Sequence, residues 1–183
     1  MERKDMNLHF AKSILYAYTN LEEVIEQIDE IIERKALCSI NDYSPCLEQC
    51  EKIIDLIEQK DVLIDLKIKA EKALQRFTDE ELEYLDYKYF KVRPKEYYDD
   101  FDTFSRNYFR RQVKLANKFS MLIEHEGITQ KYFEENCMKI DFMRELLKRV
   151  IEHEKLSYKN KPNKLKNASK NKEILTTENK KIA

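Results

Sequence analysis

Residues 105–118 read SRNYFRRQVKLANK. Ser105 suits a helix start, because its hydroxyl accepts from the free N–H groups of a first turn. Behind it come five bases and no acid: Arg106, Arg110, Arg111, Lys114 and Lys118. Wound as a helix, the stretch gathers its apolar residues on one side and these bases, with Asn107, on the other. A short helix with one apolar face and one cationic, amide-bearing face fits the DNA major groove. Placed as the third helix of a helix-turn-helix, it makes the surrounding fold all-α.

Composition agrees. The 183 residues include one glycine, three prolines and 38% charged side chains. A sheet protein needs more turn residues than that, whereas long amphipathic helices need few. Net charge is −1, but it is unevenly spread. From Glu22 to Asp86 acids outnumber bases by about two to one, while Lys88–Ser120 and the end of the chain are basic. That asymmetry points to a polyanionic partner for the middle and end of the chain, and to an acidic body that stays off it.

Upstream, one helix is predicted from Met6 to Ala36, with Ile14, Tyr18, Leu21, Ile25, Ile28 and Ile32 repeating at spacings of four and three. CSINDYS, from Cys38 to Ser44, holds a turn. Ser44 then caps a second helix that starts at Pro45 and runs to about Arg76. Leu47, Cys50, Ile54, Ile57, Ile64 and Ile68 form one stripe on that helix. Leu56, Leu63, Leu66, Ala70 and Ala73 form a second beside it. Two long helices with a short connection make an antiparallel hairpin, expected as an interaction and dimerisation module over residues 1–76.

Thr78-Asp79-Glu80-Glu81 has the form of a capping box, with Glu81 reaching back to Thr78. The helix it opens, Asp79–Phe90, buries Leu82, Leu85, Tyr89 and Phe90. Pro94 ends it, a short helix spans Lys95–Phe101, and Asp102-Thr103-Phe104 turns the chain into the basic helix, Ser105 to about His125. On that helix Phe109, Val113, Ala116 and Ile123 are expected inward, beside Tyr108, Leu115, Phe119 and Leu122. The DNA-contacting set is then Thr103, Ser105, Arg106, Asn107, Arg110, Arg111, Lys114 and Lys118, with Lys95 as a further backbone anchor. The expected reader domain is 77–126. Gly127 is placed for a helix C-cap, and a last helix, Thr129–Glu154, packs on the core within 127–155. Residues 156–183, rich in lysine and asparagine, are expected as a disordered basic tail.

TDEELEYLDYKYF, PKEYYDDF and SRNYFRRQVKLA together resemble region 4 of bacterial sigma-70 factors. The resemblance is nearest to the phage late transcription regulators of the ArpU/RinA type. It covers about Phe77 to Phe119 and aligns Ser105, Phe109 and Ala116 with a capped recognition helix, its inward apolar residue and a following alanine. It implies a helix-turn-helix transcription regulator that binds duplex DNA, with RNA polymerase as a candidate second partner. The chain departs from the pattern where Tyr97-Tyr98-Asp99-Asp100 replaces the usual second helix and where the turn lacks a glycine.

Other chemistry is thinly represented. No phosphate loop, nucleophile elbow or HExxH helix occurs, so no enzyme, cofactor or small-molecule substrate is expected. Cys46 and Cys50 share a helix face, but without a CxxC knuckle the four cysteines are expected as small buried hydrophobes rather than metal ligands. MERKDMNLHFAK has no apolar signal region, and no run approaches a membrane span, so a cytosolic protein is expected. The alternative to a DNA reader is a helical interaction module that works through its N-terminal hairpin, in which the basic helix is an ordinary solvated face.

Overall fold

The structure is a computed structural model describing residues 2–38, 46–93 and 106–159. Its fold is all-α, and no strand occurs among the described residues. The chain divides into two units, Met1–Val150 and Ile151–Ala183. The first begins with α1, Glu2–Ala17, which passes through a single 3-10 turn, Tyr18–Asn20, into α2, Leu21–Cys38. Then come α3, Cys46–Leu74, and α4, Asp79–Leu85, which loosens into a π turn over Asp86–Phe90. Next are α5, Arg106–His125, α6, Gln130–Glu135, a 3-10 turn at Cys137–Lys139, and α7, Asp141–Lys159, whose last residues belong to the second unit. No described helix is long and apolar enough to cross a membrane.

Several boundaries follow from local chemistry. Thr78 Oγ1 accepts from Glu81 N–H at 3.3 Å, and Glu81 Oε2 accepts from Thr78 N–H at 3.1 Å, so the expected capping box is formed. At the end of α5, Gly127 N–H bonds Glu124 O at 3.0 Å and Ile128 N–H bonds Ile123 O at 3.1 Å. That pair of bonds is a Schellman cap, and it requires Gly127 at φ +94°. Lys91 takes the same left-handed region at φ 50° where the π turn ends.

The predicted first helix is broken once, at Tyr18–Asn20, and its two halves do different things. α1 packs on α5, while α2 pairs with α3. α2 and α3 lie side by side, tied by Lys60 to Asp29 and Lys67 to Glu22, each at 2.5 Å. The predicted last helix is also interrupted. Asn136, after α6, turns its Nδ2 back onto Tyr132 O at 3.0 Å, and helix restarts at Asp141. The predicted helix Lys95–Phe101, the turn Asp102–Phe104, the Ser44 cap and the basic tail beyond Lys159 lie outside the described residues.

The core sits where α1, the C-terminal part of α3, α5 and α6 meet. Leu15, Leu63, Leu66, Phe119 and Phe133 are all fully buried there. Phe10 stacks on Phe133 with ring centroids 4.4 Å apart. Of the two stripes on α3, the one carrying Leu63, Leu66, Ala70 and Ala73 is buried. The other is not: Leu47 is 73% exposed, Ile54 53%, Ile57 43% and Ile68 46%. No residue of α3 before Leu63 is buried.

Candidate nucleic-acid interface

α5 is set by what it buries. Tyr108, Gln112, Leu115, Ala116, Phe119 and Ile123 are under 9% exposed and repeat at spacings of three and four. Tyr108 lies edge-on to Tyr87 with centroids 5.6 Å apart, and Phe119 lies 6.5 Å from Phe77. Gln112 Nε2 donates to Tyr84 O at 2.7 Å, just before α bonding gives way to π bonding in the facing element. Burial, then the neighbouring Tyr87, pushes the Tyr108 hydroxyl up to about 12.

This setting corrects two sequence expectations. Phe109 is 61% exposed and Val113 51%, so neither faces inward. Both are apolar, which made them natural choices for the core. Docking against Tyr84 and Tyr87 instead selects the Tyr108–Gln112 ridge, because Gln112 finds a carbonyl there and Tyr108 finds rings. The inward position that the resemblance gives to Phe109 is therefore held by its neighbour.

The cations of α5 separate into two groups. Arg111 donates to Glu80 Oε1 at 2.6 Å and lies 4.8 Å from the Tyr84 ring centre. The same Glu80 contact raises the guanidinium's already high pKa. Lys118 donates to Glu81 Oε2 at 2.5 Å and lies 4.4 Å over the Phe77 ring. Both are thus committed to the α4 side, with partners 31 and 37 residues away in sequence. Asn107, Arg110 and Lys114 face outward and are exposed. Spaced by three and four, they lie on one stripe, which Asn117 and Met121 extend. Neither Arg110 nor Lys114 has an ion-pair partner among the described residues. Arg106 opens α5, but its side chain, like Thr103, Ser105 and Lys95, lies outside the described residues.

The sequence missed the acids of α4 as partners of α5. The only available signal was TDEE itself, which capping already explained. It also missed that Phe109, Val113 and Met121 (66% exposed) would stand among the outward cations.

The cysteines correct another expectation. Cys46 and Cys50 are exposed and close enough for a thiol–thiol hydrogen bond, which raises the Cys50 thiol above its ordinary value. Cys137 alone of the three described thiols is buried, and burial, then the charge of Asp65, pushes it up to about 12. Among the described residues no three His, Cys, Asp or Glu side chains group as a metal site. A cavity of about 20 Å³ beside Phe10, Ile14, Ile123 and Phe133 has room for about one water molecule. Compared with known proteins, the chain matches no family model, no curated protein and no solved structure.

Proposed function

We propose that the chain binds duplex DNA through the outward stripe of α5 and acts as a transcription regulator. The observation that carries this reading is the outward stripe Asn107–Arg110–Lys114. It presents an amide and two cations that have no ion-pair partner among the described residues, on a helix with no acid before Glu124. Arg110 and Lys114 supply phosphate attraction or bidentate contact to guanine, and Asn107, at the N-terminal end, suits an adenine edge. Arg111 and Lys118 hold α5 on α4 in this reading and contribute through the general field. Met121 and Phe109 provide apolar flanks of the kind that meet thymine methyl groups. Contact with RNA polymerase belongs to the same proposal and rests on the sigma-like sequence pattern alone.

The test is fluorescence anisotropy of the full chain with random duplex DNA across a salt series. Affinity should fall steeply with salt, and Arg110→Ala with Lys114→Ala should weaken binding and lower the salt slope by about two. Absence of binding at low salt, or an unchanged slope in the double variant, defeats the reading. The second reading, a helical interaction module, is favoured by the exposed apolar stripe of α3. The two readings are compatible, since many regulators pair through one element and read DNA with another.

A further inference from the structure

α3 opens with two cysteines one turn apart, Cys46 and Cys50. Residues four apart on a helix share a face, with Cβ atoms about 5–6 Å apart. Both cysteines are exposed, and their thiols are close enough to hydrogen-bond to each other. Two soft nucleophiles therefore stand side by side in solvent, whereas the remaining described thiol, Cys137, is buried. Spacing decides what the pair can do. A disulfide holds its sulfurs about 2.05 Å apart and needs Cβ atoms about 3.5–4.5 Å apart, so an S–S bond here would pull the first turn of α3 out of helical form. Metal–thiolate bonds are about 2.3 Å long, so one metal atom between two sulfurs spans up to about 4.6 Å. The helical turn as it stands fits the wider bridge.

We infer that Cys46 and Cys50 bind one soft monovalent cation of the Cu(I) class, as a two-thiolate bridge across the first turn of α3. The number of donors selects the metal. Among the described residues no three His, Cys, Asp or Glu side chains group together, and nearby Glu48 is engaged by Lys52 at 2.7 Å. Zinc, which takes four ligands, would have half its shell unfilled by protein, and calcium and magnesium ask for oxygen. Thiolates select Cu(I), and a closed-shell monovalent ion is satisfied by two of them in line. Binding converts two thiols and one Cu(I) into a dithiolate complex and two released protons, with no change of oxidation state. The complex carries one net negative charge, which the positive end of the α3 dipole favours. This inference rests on α3 alone and is independent of DNA binding.

The experiment is anaerobic titration of the full chain with Cu(I) alone, against a chromogenic chelator whose colour reports the metal it keeps. Cys38→Ser is the background, so that the thiols present are the α3 pair and the buried Cys137. One Cu(I) per chain should be withdrawn from the chelator. Cys46→Ser and Cys50→Ser should each weaken binding by about 100-fold or more, because a two-point ligand becomes a one-point ligand. Cys50→Ser with Glu51→Cys keeps the thiol count but turns the second thiol about 140° round the helix from Cys46, and should bind as weakly as the single variants. Cys46, Cys50 and Glu51 are all exposed, so these substitutions leave the fold intact. Zn(II), titrated alone, should bind far more weakly than Cu(I). One Cu(I) per two chains, full affinity in either single variant, or full affinity in the displaced pair overturns the site. Zn(II) held as tightly as Cu(I) overturns the assignment to a soft cation of low coordination number.

Discussion

Lys118 donates to Glu81 at 2.5 Å, and Glu81 is at the same time the residue that closes the capping box of α4 on Thr78. One carboxylate thus joins the start of α4 to the middle of α5. The bond from Lys118 is the largest cause holding the Glu81 carboxyl below its usual range, burial works against it, and the Thr78 N–H adds to the lowering. A carboxyl depressed in the folded state binds fewer protons than in the unfolded chain, so stability rises with pH through that window. The contribution is present above the ordinary glutamate value and is lost as pH falls through the depressed one. Glu81→Gln should remove this part of the acid sensitivity, seen as a smaller fall in thermal midpoint on acidification. An acid response identical to wild type would rule the pair out as its source. At neutral pH, Lys118→Met should cost no more than about 1 kcal/mol, since the pair is partly exposed and the stem can stay over Phe77.

Gly127 sits at φ +94°, with its amide bonded back to Glu124. A side chain meets nothing closer than Lys69 Nζ at 4.0 Å, so space is not the obstacle. Conformation is, and Gly127→Ala should destabilise by about 1 kcal/mol in urea unfolding through left-handed strain alone. Gly127→Asn should recover part of that loss, because asparagine tolerates this region better. Equal stability of wild type and Gly127→Ala would show that the cap is not held in this form.

Cys137 is fully buried with its thiol pushed up to about 12, whereas Cys46 and Cys50 are exposed. The thiolate is the reactive form, so Cys137 should resist a disulfide reagent at mildly alkaline pH until the protein unfolds. Cys46 and Cys50 should react in the native state. Rapid native labelling of Cys137, located by peptide mass, would contradict its placement.

The outward and inward members of α5 should respond differently to substitution. Asn107→Ala should relax sequence preference at one base pair by about 1–3 kcal/mol while leaving stability unchanged. Gln112 is 2% exposed and bonded to Tyr84 O, so Gln112→Ala should cost about 2 kcal/mol of stability through a cavity and an unmet carbonyl. Its DNA affinity, measured where the variant is folded, should match wild type. A Gln112→Ala variant as stable as wild type would mean that α5 is rotated from the setting described.

Ile25→Ala and Ile28→Ala are poor probes of a hairpin partner, although both lie on the apolar stripe that the sequence shows for the first helix. Ile28 is 8% exposed, within the α2–α3 seam, so its loss weakens the hairpin itself. Ile57 and Ile54, on the open side of α3, are the residues that report docking.

The all-α class, the Thr78–Glu81 capping box and the Gly127 cap were legible in the sequence. Each is written within a few residues, or in a period that one helix imposes on its own apolar positions. The tertiary structure decided which stripe of α3 is buried and which stays open, since both have helical spacing. It also decided that Tyr108 and Gln112, not Phe109 and Val113, turn inward, and that Arg111 and Lys118 are held by Glu80 and Glu81. Those outcomes depend on contacts across 28 to 37 residues of sequence, where a side chain's partner is chosen by the packing of two helices rather than by its neighbours along the chain.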